Sequence, residues 1–390
     1  MAAGTILAVS LLLVAGVLGA RRAAQWRHAS RLPPLGPDGI DERGFVDIGG
    51  IPQWIQIRGA DRANPVLLVL HGGPGAALSA VSYALFSRIE RDFTVVHWDQ
   101  RGAGRTFGRN GPRRSGEMSI ARMTEDGIEV AEHVSARLGK PKIVVCAISF
   151  GSVLALGMLH RRPELFAAYV GTGQIVDMPV GEHFIYRALI GEAKRRRMKA
   201  AAAALEWIGP PPFAGGKARR VWQRLLLDFA PQSERRAMWQ MPLLLLTAPR
   251  LRLRDVWDAV AGLIFSVRRL LGSVIVFTAA PYGTEFRVPM FFFQGSEDLQ
   301  TPTGLVEDFA ARIKAPKKEF LLLKGGGHLV IRTMGKQFLD ALTARVRPLA
   351  VAALEEARKF NAKDALGTRK AQKPGAARRA TSLARAPSVS

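Results

Sequence analysis

The sequence predicts an α/β fold: a doubly wound, mostly parallel sheet with an inserted helical lid domain. Three observations predict it. Short, continuous apolar runs at Pro65–Leu70, Phe93–Trp98 and Ile143–Ile148 read as strands buried on both faces. Helical stretches separate them, the clearest being the amphipathic run Ser119–Leu138. The alternation is lost over residues 177–286, which are mostly helical and basic, and resumes from Val288.

The chain has 390 residues, of which 48% are hydrophobic, enough for one large domain with an insertion. The single cysteine, Cys146, excludes an intramolecular disulfide and sits in an apolar strand, as a small core residue would. There is no CxxC pair and no HExxH motif, so neither a metal site nor a cofactor is predicted. The net charge of +24 is spread over Lys194–Arg197, Lys217–Arg220, Arg250–Arg254 and the C-terminal residues. No helix-turn-helix, zinc-finger or RNA-binding signature accompanies it, so a solvated or membrane-facing basic surface is favoured over specific nucleic-acid binding.

In chain order, residues 1–22 read as an N-terminal membrane anchor or signal. Met1–Ala20 carry no charged side chain, and Arg21 and Arg22 follow at once. No Lys or Arg precedes the apolar run, and Leu18 and Ala20 make a poor cleavage site, which favours an anchor. About twenty residues suffice to cross a bilayer. The two arginines place the body of the protein in the cytoplasm by the positive-inside rule; export is the alternative. Residues 23–44, with Pro33, Pro34 and Pro37, form a linker. Residues 45–176 are the first part of the α/β core. It opens on a hairpin around Gly49-Gly50 and includes a helix over Leu78–Glu90 and a strand over Phe166–Gly171. Residues 177–286 are the lid. Residues 287–347 complete the core with a strand over Val288–Phe293, a helix over Thr303–Ile313, a strand over Glu319–Leu323 and a final helix over Val330–Arg345. Residues 348–390 form a basic tail whose composition predicts disorder.

The chemistry gathers at the ends of the predicted strands. Ser149 stands between a strand and an apolar helix in Ala147-Ile148-Ser149-Phe150-Gly151. A sharp turn there exposes its hydroxyl at a helix N-terminus, where free N–H groups favour a developing negative charge. A serine nucleophile needs a base, an acid to orient it and donors for the oxyanion. His328, in Gly325-Gly326-Gly327-His328 after the last strand, is the candidate base. Asp298, in Gly295-Ser296-Glu297-Asp298, is the candidate acid; Glu297 competes, and the G-x-x-D spacing favours Asp298. His71-Gly72-Gly73-Pro74-Gly75 supplies a loop whose backbone can approach a tetrahedral intermediate. The predicted oxyanion donors are the N–H groups of Gly73 and Phe150.

Together with Trp98-Asp99-Gln100-Arg101-Gly102-Ala103-Gly104-Arg105, these motifs make the chain from Phe45 to Arg345 resemble the proline iminopeptidase branch of the α/β-hydrolase superfamily. The resemblance implies an α/β-hydrolase fold and a Ser149–Asp298–His328 triad working through an acyl-enzyme. It implies an oxyanion hole at Gly73 and Phe150, and a mainly structural Asp99–Arg105 loop. The family has glycine at the position of Ala147 and commonly tryptophan at that of Phe150. The family's acidic lid residues, which bind the substrate's free amino terminus, have no match here. Glu182, Glu192 and Glu206 read as solvated helix carboxylates. The resemblance therefore implies a proline iminopeptidase-like aminopeptidase acting on a small-molecule or peptide substrate. The alternatives are an esterase or amide hydrolase of apolar acyl groups, or a non-catalytic binding protein on the same fold. Membrane association would run through residues 1–20.

Overall fold

The computed structural model describes residues 2–213 and 215–371. Its sheet contains β1 (Ile40–Ile48), β2 (Ile51–Gly59), β3 (Val66–Leu70), β4 (Thr94–Asp99), β5 (Ile143–Ile148), β6 (Phe166–Thr172), β7 (Met290–Gly295) and β8 (Lys318–Leu323). The spatial order is β1-β2-β4-β3-β5-β6-β7-β8. β2 pairs antiparallel with β1 and with β4; the pairings from β4 across to β8 are parallel. This is the α/β-hydrolase architecture that the motifs imply.

A parallel sheet is covered on both faces, so its central strands are apolar at every position. Leu68, Leu70, Val145 and Ala147 face a layer that includes the helices Ile120–Leu138 and Phe150–Arg161. Leu67, Val69, Val144 and Cys146 face the opposite layer, which includes Phe86, Phe338 and Leu342. The chain leaves β3 to one side for β4 and then crosses to the other for β5. That reversal opens a crevice at the C-terminal ends of the strands, where ligands of such sheets bind.

The helix boundaries follow local chemistry. Ser119 caps Ile120–Leu138 by accepting the Arg122 N–H, and Gly139 ends it at φ 62°. Asp177 caps Met178–Arg195 by accepting the Val180 N–H at 2.9 Å. Between β6 and β7 the chain also runs through helices Lys199–Ile208, Gly215–Phe229, Gln232–Leu246 and Leu253–Val274. The first three helices of this insertion share a small core of their own, around Ile185, Leu189, Leu205, Phe213 and Trp222. The last packs on the loop after β4: Ser266 Oγ donates to the Gly102 carbonyl at 2.8 Å. A Cβ on Gly262 would lie 2.9 Å from that same oxygen, so only glycine permits this approach.

Several expected boundaries move. The N-terminal helix runs unbroken over Ala2–Ser30 and β1 begins at Ile40, so the linker expected over 23–44 shrinks to 31–39. Residues 23–31 contain no glycine or proline to stop the helix. The helix expected over Leu78–Glu90 is instead three short turns, Ser79–Val81, Ser82–Leu85 and Ser87–Ile89. Ser82 Oγ donates to the Ser79 carbonyl and accepts from Gln56 Nε2, both at 3.1 Å. Serine competes with the helical ladder in this way, and the broken path turns Val81, Phe86 and Ile89 into one apolar layer. The final helix is divided into Val330–Thr333 and Gly335–Ala341, followed by a π-turn over Leu342–Val346. The tail expected to be disordered from residue 348 continues as helix Arg347–Ala371, with Ala350 and Leu354 buried. Residues 349–358 are rich in Ala, Leu and Glu, strong helix formers that outweigh the basic composition beyond them. The rest of the predicted tail, 372–390, lies outside the described residues.

Candidate active site

Ser149 sits at the junction of β5 and the helix Phe150–Arg161, at φ 51° and ψ −121°. A non-glycine residue at positive φ is strained by about 1–3 kcal/mol and needs its surroundings to hold it. Here the Ser149 N–H donates to the Thr172 carbonyl at 3.0 Å. The Ser149 carbonyl accepts from Ser152 Oγ at 2.7 Å. Two glycines make room. A Cβ on Gly72 would lie 2.9 Å from Ser149 Cβ, and one on Gly151 would lie 2.3 Å from the Leu70 carbonyl oxygen. Ala147 is fully buried in the apolar layer, so its methyl group is accommodated where the family has glycine.

His328 and Asp298 meet across the loops that follow β8 and β7. His328 Nδ1 lies 2.9 Å from Asp298 Oδ2 and 3.1 Å from Oδ1. Asp298 is fixed by further donors. Its Oδ1 accepts the Gln300 and Thr301 N–H groups at 2.8 and 2.9 Å. Its Oδ2 accepts Thr301 Oγ1 at 2.7 Å and Gln294 Nε2 at 2.9 Å. A carboxylate so placed accepts the hydrogen bond from Nδ1–H and leaves Nε2 free to act as a base. Burial works to raise the Asp298 carboxyl, but the His328 charge and these hydrogen bonds outweigh it and hold the group below its usual value. Burial works to lower His328, and here too it is outweighed. The Asp298 charge and hydrogen bond, with the charge of Glu234, leave the imidazole above its usual value. Gly173, at φ +54°, lets the loop after β6 close on the imidazole: a Cβ there would lie 2.7 Å from His328 Cε1.

Ser149, His328 and Gly73 line one cavity of about 140 Å³, so the structure brings three of the five predicted site residues to a common space. The Gly73 backbone stands at φ +116° and is exposed to that space. Phe150 is the first residue of its helix, where N–H groups have no intrahelical acceptor, while its side chain is wholly buried in the core. The loop carrying Gly73 is braced by His71. One ring nitrogen, Nδ1, lies 2.9 Å from the Gly72 carbonyl and the other accepts the Gln100 N–H at 3.2 Å. Burial pushes His71 down to about 4, so it is neutral and suited to bracing. Burial likewise pushes the Cys146 thiol up to about 12, which makes it inert. No residue of the Asp99–Arg105 loop lines the cavity. Arg101 is buried in a bidentate pair with Asp126, at 2.7 and 2.9 Å. It also donates to the Ser115 carbonyl at 2.7 Å and the Gly49 carbonyl at 2.8 Å, tying three elements together.

One acidic residue differs from expectation, and a second carried none. Glu182 is not a solvated carboxylate. It is buried in the cavity wall and paired with Arg219, whose second nitrogen lies 3.3 Å away. A helix surface cannot reveal this, because the partner comes from a different helix, 37 residues on. Glu206 is exposed, and Glu192 is half-buried and paired with Arg195 and Arg196. Glu234 lies in no recognisable motif. It is buried against the loop of His328; a Cβ on Gly327 would collide with its Oε2. Burial raises the Glu234 carboxyl above its usual value, against the lowering influence of His328. The remaining lining, including Ile175, Met178, Trp222, Leu226 and Val274, is largely apolar.

Residues 66–341 match the profile of the alpha/beta hydrolase family. The chain is 29% identical over 290 residues to a probable aminopeptidase, YbaC, of Bacillus subtilis, covering 73% of this chain and 89% of that one. It is 24% identical over 324 residues to a proline iminopeptidase of Neisseria meningitidis serogroup B, covering 78% and 95%. Among solved structures, a proline iminopeptidase-related protein of Thermus thermophilus superposes with a TM-score of 0.56 at 23% identity, covering 81% of this chain and 98% of that one. At that identity the superposition speaks for the fold alone.

Proposed function

The chain belongs to the alpha/beta hydrolase family, and on that premise we propose that it is a serine hydrolase with a Ser149–His328–Asp298 triad, acting as a proline iminopeptidase-like aminopeptidase. The observation that carries the proposal is the buried His328–Asp298 pair opening onto the same cavity as Ser149. In the proposed reaction His328 Nε2 takes the hydroxyl proton as Ser149 Oγ attacks the scissile carbonyl. The N–H groups of Gly73 and Phe150 hold the oxyanion. The leaving amine takes the proton from His328, and an acyl-enzyme remains. Water, deprotonated in turn by His328, attacks it and releases Ser149. The five-helix insertion acts as a lid, since its side chains form much of the cavity wall. We read the apolar part of helix Ala2–Ser30 as a membrane anchor, with the catalytic body on the cytoplasmic side of Arg21 and Arg22.

The aminopeptidase reading draws its support from the names of the relatives. A second reading, an esterase or amide hydrolase of uncharged acyl groups, is favoured by one observation: Glu182, an acid in the cavity wall, is already neutralised by Arg219. Two assays decide. A fluorophosphonate probe is expected to label the wild-type protein and not Ser149→Ala; a folded wild type that fails to label refutes the nucleophile. Hydrolysis of prolyl-naphthylamide against a short-chain nitrophenyl ester then separates peptidase from esterase.

A further inference from the structure

Over residues 253–266, helix Leu253–Val274 is amphipathic the wrong way round for a soluble protein. Its buried face there carries Asp255, Asp258, Gly262 and Ser266; beyond it the inner face is apolar again, with Leu270 and Val274. The face turned outward carries Leu253, Trp257, Val260 and Ile264, spaced four, three and four residues apart and 43–67% exposed. That spacing is one side of a helix. The neighbouring helix Gln232–Leu246 repeats the arrangement with Trp239, Leu243 and Leu246, of which Trp239 is 78% exposed. Contiguous apolar surface of this kind marks a binding face. The buried acids explain why the inversion is tolerated. Asp255 and Asp258 are paired with Arg252 and Arg254, each at 2.9 Å. Ser266 holds the Gly102 carbonyl.

The N-terminal helix identifies the occupant. Its apolar part, from Thr5 onward, has a mean hydropathy of 1.8 and none of it is buried against the body. Its far end grips the turn that joins the two inverted helices. Arg21 donates to the carbonyls of Leu246 and Leu251 at 2.9 and 2.5 Å, and Gln25 to those of Ala248 and Leu251 at 2.8 and 2.9 Å. The grip thus falls between Leu246 and Leu253, where the two exposed stripes begin. A bilayer that holds residues 5–20 must reach the protein at this turn. Arginines ring the same place: Arg250 pairs with Asp41 at 3.4 Å, and Arg252 and Arg254 with Asp255 and Asp258, yet their side chains remain 69%, 79% and 71% exposed, so each guanidinium keeps an open side. Such guanidinium groups suit the phosphates of anionic lipid, while Trp239 and Trp257 suit the interface between headgroup and acyl chain.

We propose that helices Gln232–Leu246 and Leu253–Val274 lie on the membrane with their outward stripes in the lipid interface, making a second contact beside the anchor. The proposal rests on the anchor reading but not on the triad. It also gives helix Leu253–Val274 two roles, because Leu271 and Val274 at its far end line the Ser149 cavity. Substrate held in the interface would lie along the helix that walls the site.

The single native cysteine makes the test direct: Cys146 is fully buried, so a thiol-reactive dye goes to an introduced cysteine. The full chain is reconstituted into vesicles of phosphatidylcholine and phosphatidylglycerol with brominated acyl chains. Environment-sensitive dyes are placed at Leu12→Cys, Leu243→Cys, Trp257→Cys and, as the control beside the β8 edge, Lys314→Cys, whose side chain is 77% exposed. The expected result is a blue shift and loss of intensity at positions 12, 243 and 257, and neither at 314. Quenching at 12 with water-like emission at 243 and 257 overturns the proposal while sparing the anchor. No quenching at 12 removes the premise and overturns both. Shielding at 243 and 257 without bromolipid quenching, rising with protein density, assigns the face to a second copy and also overturns it. In every case fluorophosphonate labelling reports separately on the triad.

Discussion

At the scale of single residues, the candidate site depends on atoms that are absent as much as on those present. Ser149 keeps its strained backbone because Gly72 and Gly151 leave space around it. Gly173 does the same for His328. Gly173→Ala would introduce a Cβ 2.7 Å from the ring and would strain a φ of +54° by about 1–2 kcal/mol. We expect a large fall in kcat with only a modest fall in Tm; unchanged kinetics would show that the ring has room to move. Glu234 acts at the same scale as a positioning residue. The proposed general-base role needs neutral His328, whose titration point lies above the ordinary 6.5, so on that proposal activity should be lost as pH falls through that raised value. Glu234 contributes to the rise by its negative charge. Glu234→Gln removes that charge, so His328 should titrate lower and the acid limb of the kcat/KM profile should move to lower pH. A limb that stays in place, or moves up, refutes the coupling. The acids also mark where single-chain reading stops. Glu182 and Glu234 look like any helix carboxylate, since burial and an arginine from another helix leave no local trace.

At the scale of elements, the loop after β4 joins sheet, hairpin and insertion. Arg101 and Asp126 are 2% and 0% exposed, and Arg101 also satisfies two carbonyls. Removing one partner of a buried pair leaves the other charge uncompensated and costs about 3–5 kcal/mol. Arg101→Met should fall at the lower end of that range, because Arg122 also reaches Asp126, at 3.0 Å. Urea denaturation measures this directly, and a loss below half of that would mean that Arg122 alone compensates the acid. The strands and the capped helix Ile120–Leu138 were legible because their periodicity is local. The stretch Leu78–Glu90 differs from its helical pattern because its turns are made by a serine that bonds to β2, a contact between residues 26 apart in sequence. The outward stripe of Leu253–Val274 is legible as a period, but periodicity alone does not tell which face is buried.

At the scale of the whole molecule, two bodies of unequal cohesion meet at the cavity. The sheet is packed on both faces, whereas the first three helices of the insertion rest on a small separate core. Regions with few buried apolar contacts open at lower free energy than the global transition. Amides of residues 178–229 should therefore exchange with solvent deuterium faster than those of β3 to β7. Equal protection across both would mean that the insertion and the sheet open as one unit. An insertion that opens locally would suit a site whose walls it supplies, and the net charge of +24 would favour the same anionic surface as the exposed arginines.

From its own residues the sequence determined the layered α/β architecture and the order in which serine, acid and histidine follow one another at strand ends. Both are written in periods and short motifs that are decided within a few residues. The tertiary structure decided everything that depends on contacts between distant segments. It paired Asp298 with His328 and set Ser149 and Gly73 on the same cavity. It buried Glu182 against Arg219 and Glu234 behind the histidine. It turned the polar side of residues 253–266 inward, because Gly102 and the paired arginines satisfy that side and leave the apolar one outside.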